Sequence, residues 1–103
     1  MEVIEREIKR LQLYLKECPD IEIWIVSGTK NQAKVCWKII NNKINCSKKP
    51  VFLSSNELDG LNPHKSLILL CDKWYKNKII RNGVFIDYLD NAKFTIPIGE
   101  LSY

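Results

Sequence analysis

A chain of 103 residues, 46% hydrophobic and 27% charged, is long enough for one domain with a single core and has no segment biased enough to stay unfolded. Its four cysteines, Cys18, Cys36, Cys46 and Cys71, form no CxxC pair and each sits in or beside an apolar run, which suits a reduced intracellular protein better than a disulfide framework. The net charge of +4 is unevenly spread: Lys30, Lys34, Lys38, Lys43, Lys48 and Lys49 fall in an acid-free stretch from Trp24 to Asn56, and Lys73, Lys76, Lys78 and Arg81 follow Asp72, a pattern that suits a polyanion and equally a solvated lysine surface.

Residues 1–18 predict an amphipathic helix, with Ile4, Ile8, Leu11 and Leu15 on one face and Pro19 ending it. The segment is charged from its second residue and has no unbroken apolar stretch, so it resembles neither a signal peptide nor a spanning helix, and no membrane partner is expected. An α/β core is expected over residues 21–99. Ile21 to Gly28, IEIWIVSG, becomes continuously apolar at IWIV, as a strand buried on both faces does. After the stretch GTKNQAKV, Ala33, Cys36, Trp37 and Ile40 repeat at helical spacing.

Pro50 precedes a short strand candidate, Val51 to Ser55, and a polar loop, NELDGLNPHK, leads to SLILLCD, which suits a central strand ending on a carboxylate. Two buried strands separated by a helix point to a parallel sheet. Asn82-Gly83 carries a hairpin signal, yet Phe85, Tyr88, Leu89 and Ala92 repeat at helical spacing. A helix over about Gly83 to Ala92 is preferred because it supplies the crossover that a parallel strand from Lys93 to Ile98 requires. Together these elements predict a single α/β domain, a small three-layer, mainly parallel sheet of about four strands with flanking helices.

The stretch GTKNQAKV has the outline of a phosphate-binding loop, G-x-x-x-x-G-K-[ST], in which glycine lets the backbone wrap phosphate, lysine neutralises it and the hydroxyl ligates magnesium. Gly28 opens it and Lys34 holds the lysine position, but Ala33 replaces the second glycine and Val35 the hydroxyl residue. The candidate phosphate-binding residues are Gly28, Thr29, Lys30, Asn31, Gln32, Ala33 and Lys34, at a helix N-terminus that attracts anions. The same residues suit an ordinary strand-to-helix turn in which Gly28 supplies a positive φ and Lys34 is surface. Asp72 stands where a P-loop enzyme carries its magnesium-holding carboxylate, and Lys73 where the catalytic glutamate would be.

The order SGTKNQAKV, FLSSNELDGLNPHKSLILLCDKW and IDYLDNAKFTIPIG resembles a miniature of the ATPase core of viral DNA-packaging and helicase-type P-loop proteins, over about residues 22–99. That resemblance implies a P-loop NTPase-like topology with nucleotide at the carboxyl ends of the strands, and ATP or another nucleotide with magnesium as the cofactor. It also implies that the loop strand takes one edge of the sheet and the VFLSS strand the other. Carried over, Gly28 and Lys34 would contact phosphate and Asp72 would face the metal, while Ala33, Val35 and Lys73 depart from the pattern and argue against hydrolysis. A receiver-like domain lacks its acidic pair, since Ser27 and Gly28 stand in that place.

Lys38, Lys73, Trp74, Lys76, Lys78 and Arg81 form a candidate nucleic-acid surface, with Trp74, beside Tyr75 among the lysines, as the stacking side chain. His64 has no partner at metal-ligand spacing, and no serine or cysteine has a histidine placed to activate it, so no catalytic residue is assigned. Two readings of function compete. One is a non-hydrolysing P-loop-like protein of viral or mobile-element character that binds phosphate, nucleotide or nucleic acid; the other is a ligand-free interaction protein with a homodimeric or partner-binding sheet edge. An active ATPase is opposed by Val35 and Lys73.

Overall fold

The computed structural model describes residues 2–53, 61–71 and 73–98 of the chain. Among them lie helix α1 (Glu2–Glu17), strand β1 (Glu22–Val26), helix α2 (Lys30–Ile44), strand β2 (Val51–Phe52), strand β3 (Ser66–Leu70), helix α3 (Gly83–Asn91) and strand β4 (Phe94–Pro97), with 3₁₀ turns at Pro63–Lys65, Trp74–Lys76 and Lys78–Arg81. The four strands form one sheet in the order β2-β1-β3-β4, and every neighbouring pair is parallel. The chain is therefore an α/β protein with a parallel sheet.

One expectation is overturned. The loop strand β1 does not sit at an edge: it pairs with β2 through Trp24–Val51 and Ile25–Phe52, and with β3 from Glu22–Ser66 to Val26–Leu70. Its unbroken IWIV run is buried throughout, which fits an interior strand with neighbours on both sides. The VFLSS strand does take an edge, though only Val51 and Phe52 pair as strand, and Leu53 adds one bond from its amide to the Ile25 carbonyl at 2.9 Å. Ser54, Ser55, the NELDG stretch, Asp72 and Gly99 lie outside the described residues.

Alternation along the two central strands sorts their side chains into two layers. Ile23, Ile25, Leu67, Leu69 and Ile96 face α1 and α2, meeting Ile8 and Leu11 of the first helix and Ala33, Cys36, Trp37 and Ile40 of the second. The Tyr14 ring of α1 also stacks on Phe94 of β4, centroids 3.8 Å apart and 5° from parallel. On the opposite face Trp24, Val26, Leu53, Ile68 and Leu70 meet Ile79 and Phe85, with Tyr88 and Leu89 of α3 packed around them. Each fully buried Leu, Ile or Phe in these layers contributes roughly 1.5–3 kcal/mol.

The C-terminal third resolves as helix. The Asn82 side chain accepts a hydrogen bond from the Val84 amide at 2.9 Å, so Asn82-Gly83 is a helix cap and first residue rather than a hairpin turn. The preceding NKII segment is curled into the Lys78–Arg81 turn by burying Ile79.

From β1 the chain crosses one face through α2 to β2, and from β3 it crosses the other face through α3 to β4. The carboxyl ends of β1 and β3 thus lie side by side where the winding reverses, the position at which open α/β sheets place their ligands.

Candidate anion-binding edge

The ends of β1 and β3 are joined by main-chain and side-chain bonds. The Cys71 amide donates to the Val26 carbonyl at 2.8 Å, extending the β1–β3 pairing past β3. Ser27 is fully buried, and its carbonyl accepts a hydrogen bond from Asn77 Nδ2 at 2.7 Å. The other atom of that amide, Asn77 Oδ1, accepts from the Ile79 amide at 3.0 Å and starts the Lys78–Arg81 turn. Asn77 therefore pins the basic segment after β3 onto the end of β1. Gly28 lies close to Lys73 and Gln32. A Cβ there would sit 2.5 Å from Gln32 Oε1, 3.2 Å from Lys73 Cβ and 3.3 Å from the Lys73 carbonyl oxygen, while its φ lies outside the left-handed region. The reading of Gly28 as a positive-φ residue is corrected accordingly.

Thr29 ends the loop early. Its backbone is extended, at φ −137° and ψ 164°, its Oγ1 accepts from the Gln32 amide at 3.1 Å and its carbonyl from the Ala33 amide at 3.0 Å. Helix α2 accordingly begins at Lys30, and the backbone wrap expected over residues 29–34 is not formed. Gln32 and Ala33 have their amides committed to the cap residue Thr29, and Ala33 is buried against the sheet. Lys30 and Asn31 are exposed at the first turn. Lys34 and Lys38 are exposed about 6 and 12 Å further along the helix axis. Lys38 is thus carried away from the strand ends. Val35, in the place of the magnesium-binding hydroxyl, is 45% exposed on the helix surface.

On the other side of the switch point, Lys73 adopts a left-handed conformation, φ 56° and ψ 28°, uncommon for a side-chain-bearing residue. Trp74, the expected stacking residue, is half-buried and packs against the layer containing Trp24 and Phe85. Its neighbour Tyr75 is 59% exposed instead. Lys73, Lys76, Lys78 and Arg81 are all exposed. Asp72, the expected metal carboxylate, lies outside the described residues, and among the described residues no group of three or more His, Cys, Asp or Glu side chains could hold a metal ion.

The two ends of the sheet differ in charge among the described residues. The carboxyl edge carries Lys30, Lys34, Lys73, Lys76, Lys78 and Arg81, and the described residues from 73 to 86 include no acid. The amino edge carries both signs, Glu17, Asp20 and Glu22 with Lys65 and Lys93. A cavity of about 330 Å³ there is lined by Glu17, Cys18, Asp20, His64, Lys65 and Lys93, among others. None of the four cysteines is in a disulfide, and no described helix is long and apolar enough to cross a membrane.

Sequence reasoning missed Asn77 and named Tyr75 only as the companion of Trp74. The Asn-x-Ile spacing of an Asx cap was a signal for the first; nothing in the sequence ranked Tyr75 over Trp74. The chain matches no family model, no curated protein and no solved structure.

Proposed function

We propose that the carboxyl edge of the sheet binds the phosphates of a nucleic acid or nucleotide without hydrolysing them. The observation that carries this reading is a cluster of cations: among the described residues Lys30, Lys34, Lys73, Lys76, Lys78 and Arg81 flank the switch point, whereas at the opposite end Glu17, Asp20 and Glu22 offset Lys65 and Lys93. Lys73 in the place of a catalytic glutamate, Val35 in the place of a hydroxyl, and a helix that starts at Lys30 all argue against turnover of an enclosed triphosphate. The strand–glycine–helix order beside an apolar β3 supports a P-loop-like ancestry, and with it a viral or mobile-element origin, as part of the same proposal. Magnesium-ATP enters it only through Asp72.

Binding of a fluorescein-labelled oligonucleotide, followed by anisotropy, weakens with salt at a log–log slope of about −0.7 to −0.9 per phosphate contact. A flat salt response contradicts the proposal. Magnesium-dependent phosphate release that disappears in Asp72→Asn replaces it with an ATPase.

The second reading, an interaction protein without ligand, draws on exposed Val84 (41%) and Ile86 (49%) of α3. Its sheet-edge form has a short template, since β2 offers two residues and β4 includes Pro97.

A further inference from the structure

Resting on the polyanion reading above, we propose that the ligand of this edge is single-stranded nucleic acid and that Tyr75 is the platform on which one of its bases stacks. Tyr75, at 59%, is the most exposed of the large apolar side chains among the described residues. Trp74 supports its ring from one side. The Trp74 ring meets it edge-on, centroids 6.2 Å apart at 81°, and Trp74 is itself anchored in the layer with Trp24 and Phe85.

The backbone around it is closed by the Trp74 amide to the Cys71 carbonyl at 3.0 Å, the Lys76 amide to the Lys73 carbonyl at 2.9 Å and the Asn77 amide to the Trp74 carbonyl at 3.1 Å. Asn77 then ties the segment to Ser27. A ring carried on a closed backbone turn and braced by Trp74 loses less freedom on binding than an unsupported one, which favours net affinity from stacking.

The surroundings select the class of ligand. Lys73, Lys76, Lys78 and Arg81 stand within six positions of the ring, with no described acid between residues 73 and 86. Several cations spread along one segment suit a run of phosphates better than a lone nucleotide. Bases inside a duplex present edges to a protein and keep their faces stacked on one another, so a solvent-facing ring finds a partner only on an unpaired strand. Every base has such a face, so recognition is tolerant of sequence.

The test compares a fluorescein-labelled oligothymidylate of about 20 nucleotides with a duplex of about the same length, by anisotropy across a salt series. The wild-type chain binds the single strand more tightly. Tyr75→Ala weakens single-strand binding about 5- to 150-fold, leaves duplex binding and the salt slope unchanged, and does not alter the thermal melting curve; Tyr75→Phe restores binding. If Tyr75→Ala binds the single strand as the wild type does, or if the duplex binds more tightly, the stacking assignment fails while salt-dependent binding keeps the polyanion reading. If the wild type binds neither probe, both fall.

Discussion

At opposite ends of the sheet, Asn77 and Asn62 start similar turns. Asn77 Oδ1 accepts the Ile79 amide at 3.0 Å and Asn62 Oδ1 accepts the His64 amide at 3.1 Å, each opening a 3₁₀ turn. At the amino edge the matter ends locally: the turn is exposed, and the buried Ser66 hydroxyl closes it by donating to the Pro63 carbonyl at 2.8 Å. At the carboxyl edge the same side chain uses its nitrogen as well, reaching a carbonyl 50 residues earlier in the chain. One cap is a local device; the other fixes a basic segment against the end of a different strand. The carboxyl edge also holds Gly28, where a Cβ would be tight against Lys73, and the left-handed Lys73. The amino edge offers a cavity of about 330 Å³ with both signs of charge around it.

The largest effect that would break this contrast is on binding. Replacing Lys73, Lys76, Lys78 and Arg81 together by alanine lowers the salt slope for a single strand by about 3, at roughly 0.7 per lost contact. Replacing Lys65 and Lys93 at the amino edge leaves the slope where it was. Equal losses from the two sets would mean that charge acts diffusely rather than at one edge.

Stability separates the two asparagines less dramatically. Asn77→Ala loses the cap and leaves the buried Ser27 carbonyl without this donor, costing about 2–3 kcal/mol in urea unfolding. Asn62→Ala, which loses only an exposed cap, costs about 0.5–1 kcal/mol. Similar values for both would remove the pin from the account.

A smaller and opposite effect is expected at Lys73. Glycine adopts the left-handed region without the penalty a side chain carries, so Lys73→Gly raises stability by about 0.5–1 kcal/mol while weakening oligonucleotide binding. A variant that is both less stable and unchanged in binding would show that the backbone there is unstrained and the charge idle.

How much of this was legible follows from range. Ala33, Cys36, Trp37 and Ile40 declared α2 by their spacing, and IWIV declared a strand buried on both faces, because both signals are local. Phe85, Tyr88, Leu89 and Ala92 prevailed over the Asn82-Gly83 hairpin signal for the same reason: Asn82 caps a helix as readily as it turns a hairpin. Strand order was not local. Nothing in the IWIV run says which strand lies on which side, and the resemblance placed β1 at an edge when it lies inside.

The geometry around Gly28 was hard to read in sequence for a related reason. A G-x-x-x-x-A-K spacing counts residues but not where the helix begins, and Thr29, by capping at once, drew Gln32, Ala33 and Lys34 into α2. The basic residues after β3 were visible as charges, whereas the bond from Asn77 to Ser27 that brings them to β1 was not.

The central claim is that ligand phosphates meet this chain at the carboxyl ends of β1 and β3. Amide chemical-shift mapping of the isotope-labelled protein, titrated with oligothymidylate, addresses it most directly. The account predicts that resonances of Gly28, Thr29, Lys30, Lys73, Tyr75 and Lys76 move together while those of Asp20, His64 and Lys65 stay in place. Shifts confined to the amino edge, or none at all, would contradict it.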